Sequence, residues 1–301
     1  MLKFTPITLN DAQHYISLYS ECDEKAADYT FSNLWCWQDK YHFEIAFDDN
    51  LCWLRHYNNN TPIYNPPIGN WHRNDWNKLL KQHFPQGFSF VRVPETLANI
   101  WKKYFDDTLS IVEERDHFEY VYSIPELIFL NGYRFRNKRK LSNQFKQYYN
   151  YIYKSVSPEL IADIKEFQQH WINSPEIKKD KDINMIMTEN KAIMRMLDNW
   201  KQLPKQLFGG VLIIDNKVIA FALGEKIDNE TIAIHFEKAS LHYRGSYAAI
   251  NRILLENSGG NYRFVNREQD LGLEGLRKVK LEYNPVRFIK KYHITNTYRK
   301  E

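Results

Sequence analysis

Apolar and polar positions along this chain keep two rhythms, and each change of rhythm marks an element boundary. After Thr8, a suitable helix cap, Ala12, Tyr15, Ile16 and Leu18 recur at helical spacing and predict a first helix. From about Trp35 to Ile63 the pattern shortens to strand-like alternation. HFEIAF and LCWLRHY flank the turn residues Asp48, Asp49 and Asn50, and Asn58, Asn59 and Asn60 close the next hairpin. Pro66, Pro67, Ile68 and Gly69 then break the pattern. A helix over 74–83, a strand over 88–93, a helix over 95–105 and a strand near 117–122 complete a first α/β stretch.

Beyond Pro125 the order repeats in outline. Helices are predicted over about 135–151, 158–171 and 188–201. Strands over 209–215, 217–225 and 231–238 form a meander with Asp215-Asn216 and Asp228-Asn229 at its turns. A helix over 247–256, a strand over 263–266, a helix over 275–281 and a strand around 288–293 follow. Helices, antiparallel hairpins and then strand-helix-strand place the chain in the mixed α/β (α+β) class. The similar order of the halves predicts two domains, 1–124 and 125–301, and suggests a structural duplication that rests on element order alone.

Composition narrows the possibilities. A 301-residue chain with 43% hydrophobic residues can bury a sizeable core. Its 41 Lys and Arg against 37 Asp and Glu leave a formal charge of +4, too small to mark a nucleic-acid binder, and no DNA partner is expected. The longest apolar runs, 211–214 and 218–223, fall far below the roughly 20 residues a membrane span needs. The N-terminal stretch has polar residues where a signal peptide requires an apolar run, so a cytoplasmic protein is expected. Cys22, Cys36 and Cys52 are odd in number and lack a C-x-x-C pair, which predicts reduced core thiols. His42 and His56 lie nearby without zinc-site spacing, so no metal is expected. No Ser-His-Asp, H-E-x-x-H, Walker or dinucleotide pattern occurs, which argues against hydrolase and nucleotidase functions.

Chemistry concentrates in TIAIHFEKASLHYRGSYAAINRIL, a strand, glycine turn and helix start with His235, Glu237, Lys238, His242, Tyr243 and Arg244 crowded at the junction. A helix N-terminus favours anions through its unpaired N–H groups and dipole. Glu237 precedes the turn, and Glu268 and Asp270 follow the next strand. If those strands are neighbours, Glu237 and Glu268 converge, shift each other's pKa and serve as the base. The plainer alternative for Glu237 is a surface carboxylate paired with Lys238 or another cation. Arg244 beside Gly245 suits phosphate or carboxylate, or else a capping salt bridge. Tyr243 and Tyr247 can donate to an oxyanion, although ordinary packing is common in a chain with 20 tyrosines. Arg134, Arg136, Lys138, Arg139, Lys140 and Lys146 repel one another along a single helix unless an anionic partner or solvent relieves them. Lys278 and Lys280 belong to the same surface or to solvent. Met185, Met187, Met194 and Met196 can line an acyl pocket or fill the core.

Four segments carry a family resemblance: YTFSNLWCW, ELIFLNGYRFRNKRKLSNQFKQYY, HFEKASLHYRGSYAAIN and NREQDLGLEGLRKVKLEYNP. Across nearly its whole length the chain resembles uncharacterised bacterial proteins grouped with the C-terminal domain of phosphatidylglycerol lysyltransferases. The resemblance implies a tandem GNAT-like acyltransferase fold, two mixed sheets flanked by helices, with a drifted first half and the active site in the second. It implies transfer of an acyl or aminoacyl group from acyl-CoA or aminoacyl-tRNA, as co-substrate and without a tightly bound cofactor. The acceptor would be an amine or hydroxyl on a small molecule, peptide or lipid headgroup. The coenzyme A loop pattern is met only at Gly245, with His242 and Tyr247 at its other positions. Glu237 and Glu268 are the expected catalytic pair. Arg136, Lys138, His235, Tyr243, Arg244, Gly245, Tyr247, Asn266, Arg267 and Asp270 are the expected substrate- or donor-binding set. A non-catalytic binding module that keeps a transferase pocket is the alternative.

Overall fold

The paired Asp and Asn residues turn the chain where the alternation predicts. Asp49, Asn50, Asn59, Asn60, Asp215 and Asn216 all adopt the left-handed backbone that tight hairpins require. The computed structural model describes residues 2–105 and 108–297. Its strands are β1 (Thr5–Pro6), β2 (Glu44–Asp48), β3 (Leu51–Asn58), β4 (Thr61–Gly69), β5 (Phe88–Pro94), β6 (Leu109–Glu113) and β7 (Glu119–Ser123). They continue with β8 (Ile152–Ser155), β9 (Leu207–Ile214), β10 (Lys217–Lys226), β11 (Thr231–Ala239), β12 (Phe264–Asn266), β13 (Arg287–Ile289) and β14 (Lys291–Asn296).

The two mixed sheets flanked by helices, expected of a tandem GNAT-like chain, are present. One runs β1-β2-β3-β4-β5-β14-β6 and the other β13-β7-β12-β11-β10-β9-β8. Each has an antiparallel meander joined by a parallel pairing to the next strand, β4 to β5 in one sheet and β11 to β12 in the other. In each, a strand from the other half of the sequence then follows. β14 lies between β5 and β6, and β7 lies between β12 and β13. The repeated element order therefore corresponds to a repeated sheet plan with its seventh strands exchanged.

That exchange alters the domain boundary. The division at 124/125 is replaced by two interleaved compact units. The first comprises the chain to Glu119, Gln269–Leu273 and the chain from Phe288, and the second Tyr120–Glu268 with Glu274–Arg287. The strand predicted near 117–122 joins the second sheet, and the one predicted around 288–293 is two strands, β13 and β14.

Other differences are local. Pro66 and Pro67 do not break the strand but lie within β4, opposite Trp53 alone, so a bulge absorbs their missing N–H groups. The strand-like stretch begins at Glu44 because Phe31–Cys36 is a helix. Thr30 caps it by accepting from Asn33 N–H at 3.3 Å, and Phe31 and Leu34 are buried. The helix predicted over 135–151 ends at Tyr148 and is followed by β8, while β6 and the helices Ile124–Phe129 and Pro175–Lys178 have no counterpart in the sequence pattern. The three cysteines are free and buried, as expected.

A cluster of buried charge lies in each unit. Lys291, at the start of β14, has a side chain with 0% exposure and donates to Asp28 and, at 2.6 Å, to Glu119. Glu119 also accepts from the backbone of Ala27 at 2.9 Å and Asp28 at 3.2 Å. In the second unit, the His235 side chain is 1% exposed between Glu225 at 2.8 Å and Glu268 at 2.6 Å. Burial alone would lower the imidazole pKa, but the two carboxylates outweigh it and raise it to about 10.

Both clusters yield tests. Lys291→Met strands two buried carboxylates and is expected to lower the urea-unfolding free energy by about 3–5 kcal/mol. Adding Asp28→Asn and Glu119→Gln should recover much of that loss, and a triple variant no better than the single one would refute the account. The His235 pKa, raised from 6.5 to about 10 on folding, makes its stabilisation fully present below pH 6.5. That stabilisation is lost as pH rises through 10. Wild type should therefore lose roughly a few kcal/mol more than His235→Gln between pH 7 and 10, and parallel stability curves would contradict this.

Candidate active site

Alternation along β11 puts His235 and Glu237 on one face and Phe236 on the other. β12 runs parallel to β11 only over three pairs, from Thr231 opposite Phe264 to Ala233 opposite Asn266. Past that point the strands part. Arg267, its backbone N–H bonded to the Tyr120 carbonyl at 2.9 Å, reaches back with Nη2 to Glu237 Oε1 and Oε2 at 3.1 and 3.3 Å. Asn251, on the helix Ser246–Ser258, donates to Glu237 Oε2 at 3.1 Å. The Arg267 and Glu237 side chains are 14% and 13% exposed, so solvent screens the pair little.

Aromatic rings and further cations surround this pair. The Arg267 guanidinium lies 4.9 Å from the Tyr283 ring centroid and 5.9 Å from that of Tyr122. Lys138 Nζ lies 4.6 Å from the Tyr283 ring and pairs with Glu282 at 2.9 Å. Burial pushes the Tyr283 phenol up to about 12 against the opposing pull of Arg267, and the Tyr122 phenol is also raised, by burial first. Lys280 fixes the backbone beneath by donating to the carbonyls of Arg267 and Glu268. Asn266 accepts from the Glu268 N–H at 2.9 Å, holding a turn in which Glu268 takes a left-handed φ of 56°.

At the far end of β11 the chain turns at Gly245. Its φ is +86°, and a Cβ there would lie 2.4 Å from the Leu141 carbonyl oxygen, so glycine is required. Ser246 then starts the helix and donates its hydroxyl to the Ser240 carbonyl at 2.8 Å. The Tyr243 ring meets Tyr149 edge-on at 5.1 Å, and the Arg244 N–H donates to the Tyr149 hydroxyl at 3.2 Å. The Arg244 side chain is exposed and makes no ion pair among the described residues. Tyr247 packs inward near Ala239 and Trp171, and burial raises its phenol pKa.

The structure thus brings Glu237 together with Arg267 and Asn251, and Glu268 with His235. Each expected catalytic carboxylate has its own cation instead of the other carboxylate as its partner. Asp270 belongs to the first unit, where it has no exposure, pairs with Arg115 at 3.2 Å and accepts from the Gly272 N–H at 2.9 Å. The basic run is largely neutralised. Arg134 pairs with Glu126, Lys138 with Glu282 and Lys146 with Glu256, while Arg139 donates to the carbonyls of Leu130 and Gly132. Arg136 and Lys140 are exposed and without an ion pair among the described residues. The methionines divide between core and surface, with Met196 buried and Met185 and Met187 exposed.

Sequence reasoning missed Asn251, Tyr122, Tyr283 and the partner role of Glu225. Glu225 had a visible signal, a carboxylate at the end of an otherwise apolar strand. Tyr283 and Asn251 each lie within one of the four matching segments, whereas nothing marked Tyr122 before the fold placed β7 beside β12. Among the described residues no helix is long and apolar enough to cross a membrane, and no group of three or more His, Cys, Asp and Glu is arranged to hold a metal ion.

Solved structures share this architecture. A conserved protein of unknown function from Bacteroides thetaiotaomicron VPI-5482 is 28% identical with a TM-score of 0.87, covering 98% of this chain and 100% of that one. The C-terminal domain of a putative lysylphosphatidylglycerol synthetase from Agrobacterium fabrum is 13% identical, with a TM-score of 0.65 and coverage of 96% and 92%. L-PGS from Bacillus licheniformis is 15% identical, with a TM-score of 0.57 and coverage of 83% and 82%. The last two likenesses concern the fold alone. No curated protein matches the chain. The family model described as phosphatidylglycerol lysyltransferase, C-terminal, matches residues 20–295, and the chain belongs to that family.

Proposed function

We propose that the second unit transfers an aminoacyl group from aminoacyl-tRNA to an amine or hydroxyl on a small-molecule, peptide or lipid-headgroup acceptor. Family membership and a fold shared with L-PGS, and with FemX at 11% identity and a TM-score of 0.50, support a transferase reading. The observation that carries it is Glu237, fixed by Arg267 and Asn251 where β11 and β12 part.

In this reading the acceptor nucleophile attacks the ester carbonyl, the bond to the ribose oxygen breaks and the acceptor's proton passes to Glu237. The ribose oxygen leaves as a hydroxyl after taking up a proton. Arg267 and Asn251 hold the carboxylate at a fixed angle, which limits the reorganisation needed in the transition state. Amides at the start of the helix Ser246–Ser258, with exposed Arg244 and Arg136, supply positive potential for donor phosphates. The engagement of Glu237 by Arg267 also favours a second reading, a binding module in which that carboxylate orders a pocket and accepts no proton.

Labelled lysyl- and alanyl-tRNA, incubated with the protein and with phosphatidylglycerol vesicles or small amines, separate these readings. Under the transferase reading, Glu237→Gln should lower turnover by about 10²–10⁴-fold with donor affinity within a few-fold of wild type. Donor that binds but is never consumed by wild type would leave the binding module, and turnover of acetyl-coenzyme A instead would replace the tRNA donor. Arg136→Ala with Arg244→Ala should weaken tRNA binding and flatten its dependence on log salt by roughly 0.7–0.9 for each phosphate no longer neutralised. An unchanged slope would remove both residues from the donor surface.

A further inference from the structure

The parallel pairing of β4 with β5 gives the first unit its own parting of strands, in the topological position that β11 and β12 occupy in the second. The pairing is confined to Tyr64 opposite Phe90. Immediately afterwards β5 bulges, with Val91 and Arg92 facing His293 alone on β14. Bulges re-aim side chains, and here Arg92 takes a left-handed φ of 54°, uncommon for a residue with a long side chain. Two side chains hold that conformation: the Tyr29 hydroxyl donates to the Arg92 carbonyl at 2.9 Å, and Glu114 accepts from the Arg92 N–H. Local strain of this kind gathers at ligand sites.

The re-aimed arginine lines a cavity of about 550 Å³, together with Tyr41, His56, Glu114 and His117. That volume suits a small molecule. The Arg92 guanidinium lies 5.9 Å from the Tyr41 ring and makes no ion pair among the described residues, since the nearby Asp28 is bonded to Lys291. The two histidines are neutral acceptors. His56 Nδ1 lies 2.7 Å from Asn65 Oδ1, which can only accept, so the proton sits on Nδ1 and Nε2 carries a lone pair. Burial, with the charge of Arg92 behind it, lowers the His117 pKa to about 4, and burial lowers that of His56. The His117 Nδ1 atom is buried and has no hydrogen-bond partner among the described residues.

A permanent cation with a planar two-pronged donor set therefore shares one cavity with neutral ring nitrogens and a carboxylate. We propose that this cavity is a second ligand site, taking a small carboxylate that also bears hydroxyl or amino donors. The ligand carboxylate meets Arg92, and its donors meet His56, His117 and Glu114. Free phosphate at neutral pH carries its one or two P–OH donors on the anion itself, with none held apart from it on a carbon framework, and a plain dicarboxylate lacks such donors altogether.

Calorimetric titration of the full chain with L-malate, L-glutamate, succinate and inorganic phosphate tests this. The expected result is saturable binding of L-malate or L-glutamate, at least tenfold tighter than succinate or phosphate, and weakened at least tenfold by Arg92→Gln. If thermal melting shows Arg92→Gln to be unfolded, His117→Phe takes its place. It keeps the guanidinium, removes an acceptor, fills part of the cavity and should weaken binding by at least the same factor. No saturable binding of any of the four, tightest binding of phosphate or succinate, or binding undiminished in the folded variant would overturn the assignment.

Discussion

Lys291 is an ammonium without access to water, and its place among Asp28 and Glu119 determines how the first unit closes. A lone buried charge of this kind would be untenable, so β14 is held where two carboxylates meet it, one of them already fixed by the Ala27 and Asp28 amides. Once Lys291 is seated, the residues after it pair with β5 on one side and β6 on the other. The same pairing imposes the bulge that turns Arg92 into its cavity. The charge cluster, the strand exchange and the re-aimed arginine are thus consequences of one another.

The second unit solves a related problem differently. Its buried cation is an imidazolium, whose charge depends on pH, and it occupies the middle of β11 instead of the end of an exchanged strand. His235 commits Glu268 to a structural pairing two residues along the strand from Glu237. Glu237 consequently has Arg267 and Asn251 to itself, and the polar chemistry near the end of β11 is focused on one carboxylate. The helix start behind Gly245 is fixed by close backbone packing against Leu141 and does not depend on either charge.

Much of this was legible in the sequence because the signals are local. Asp-Asn and Asn-Asn pairs announced hairpins, apolar spacing marked the long helices, and the junction around Gly245 stood out through residues that a bare turn does not need. The misreadings have a common physical origin in tertiary context. Pro66 and Pro67 look like breakers until a bulge opposite Trp53 absorbs them. Glu237 and Glu268 look like a carboxylate pair until Arg267 and His235 enter, cations whose reach depends on where the strands part. The exchange of β7 and β14 has no local signature, since a strand's own residues do not say which sheet will receive it.

Order of synthesis gives the exchange a further meaning. The slot between β5 and β6 stays empty until the ribosome has made the chain past residue 291, although both flanking strands are complete by residue 113. Through that interval a nascent chain carries two unpaired strand edges, the kind of surface that recruits chaperones or aggregates. A chain cut short by a premature stop just after residue 289 would contain every strand of the second sheet yet lack the strand that closes the first.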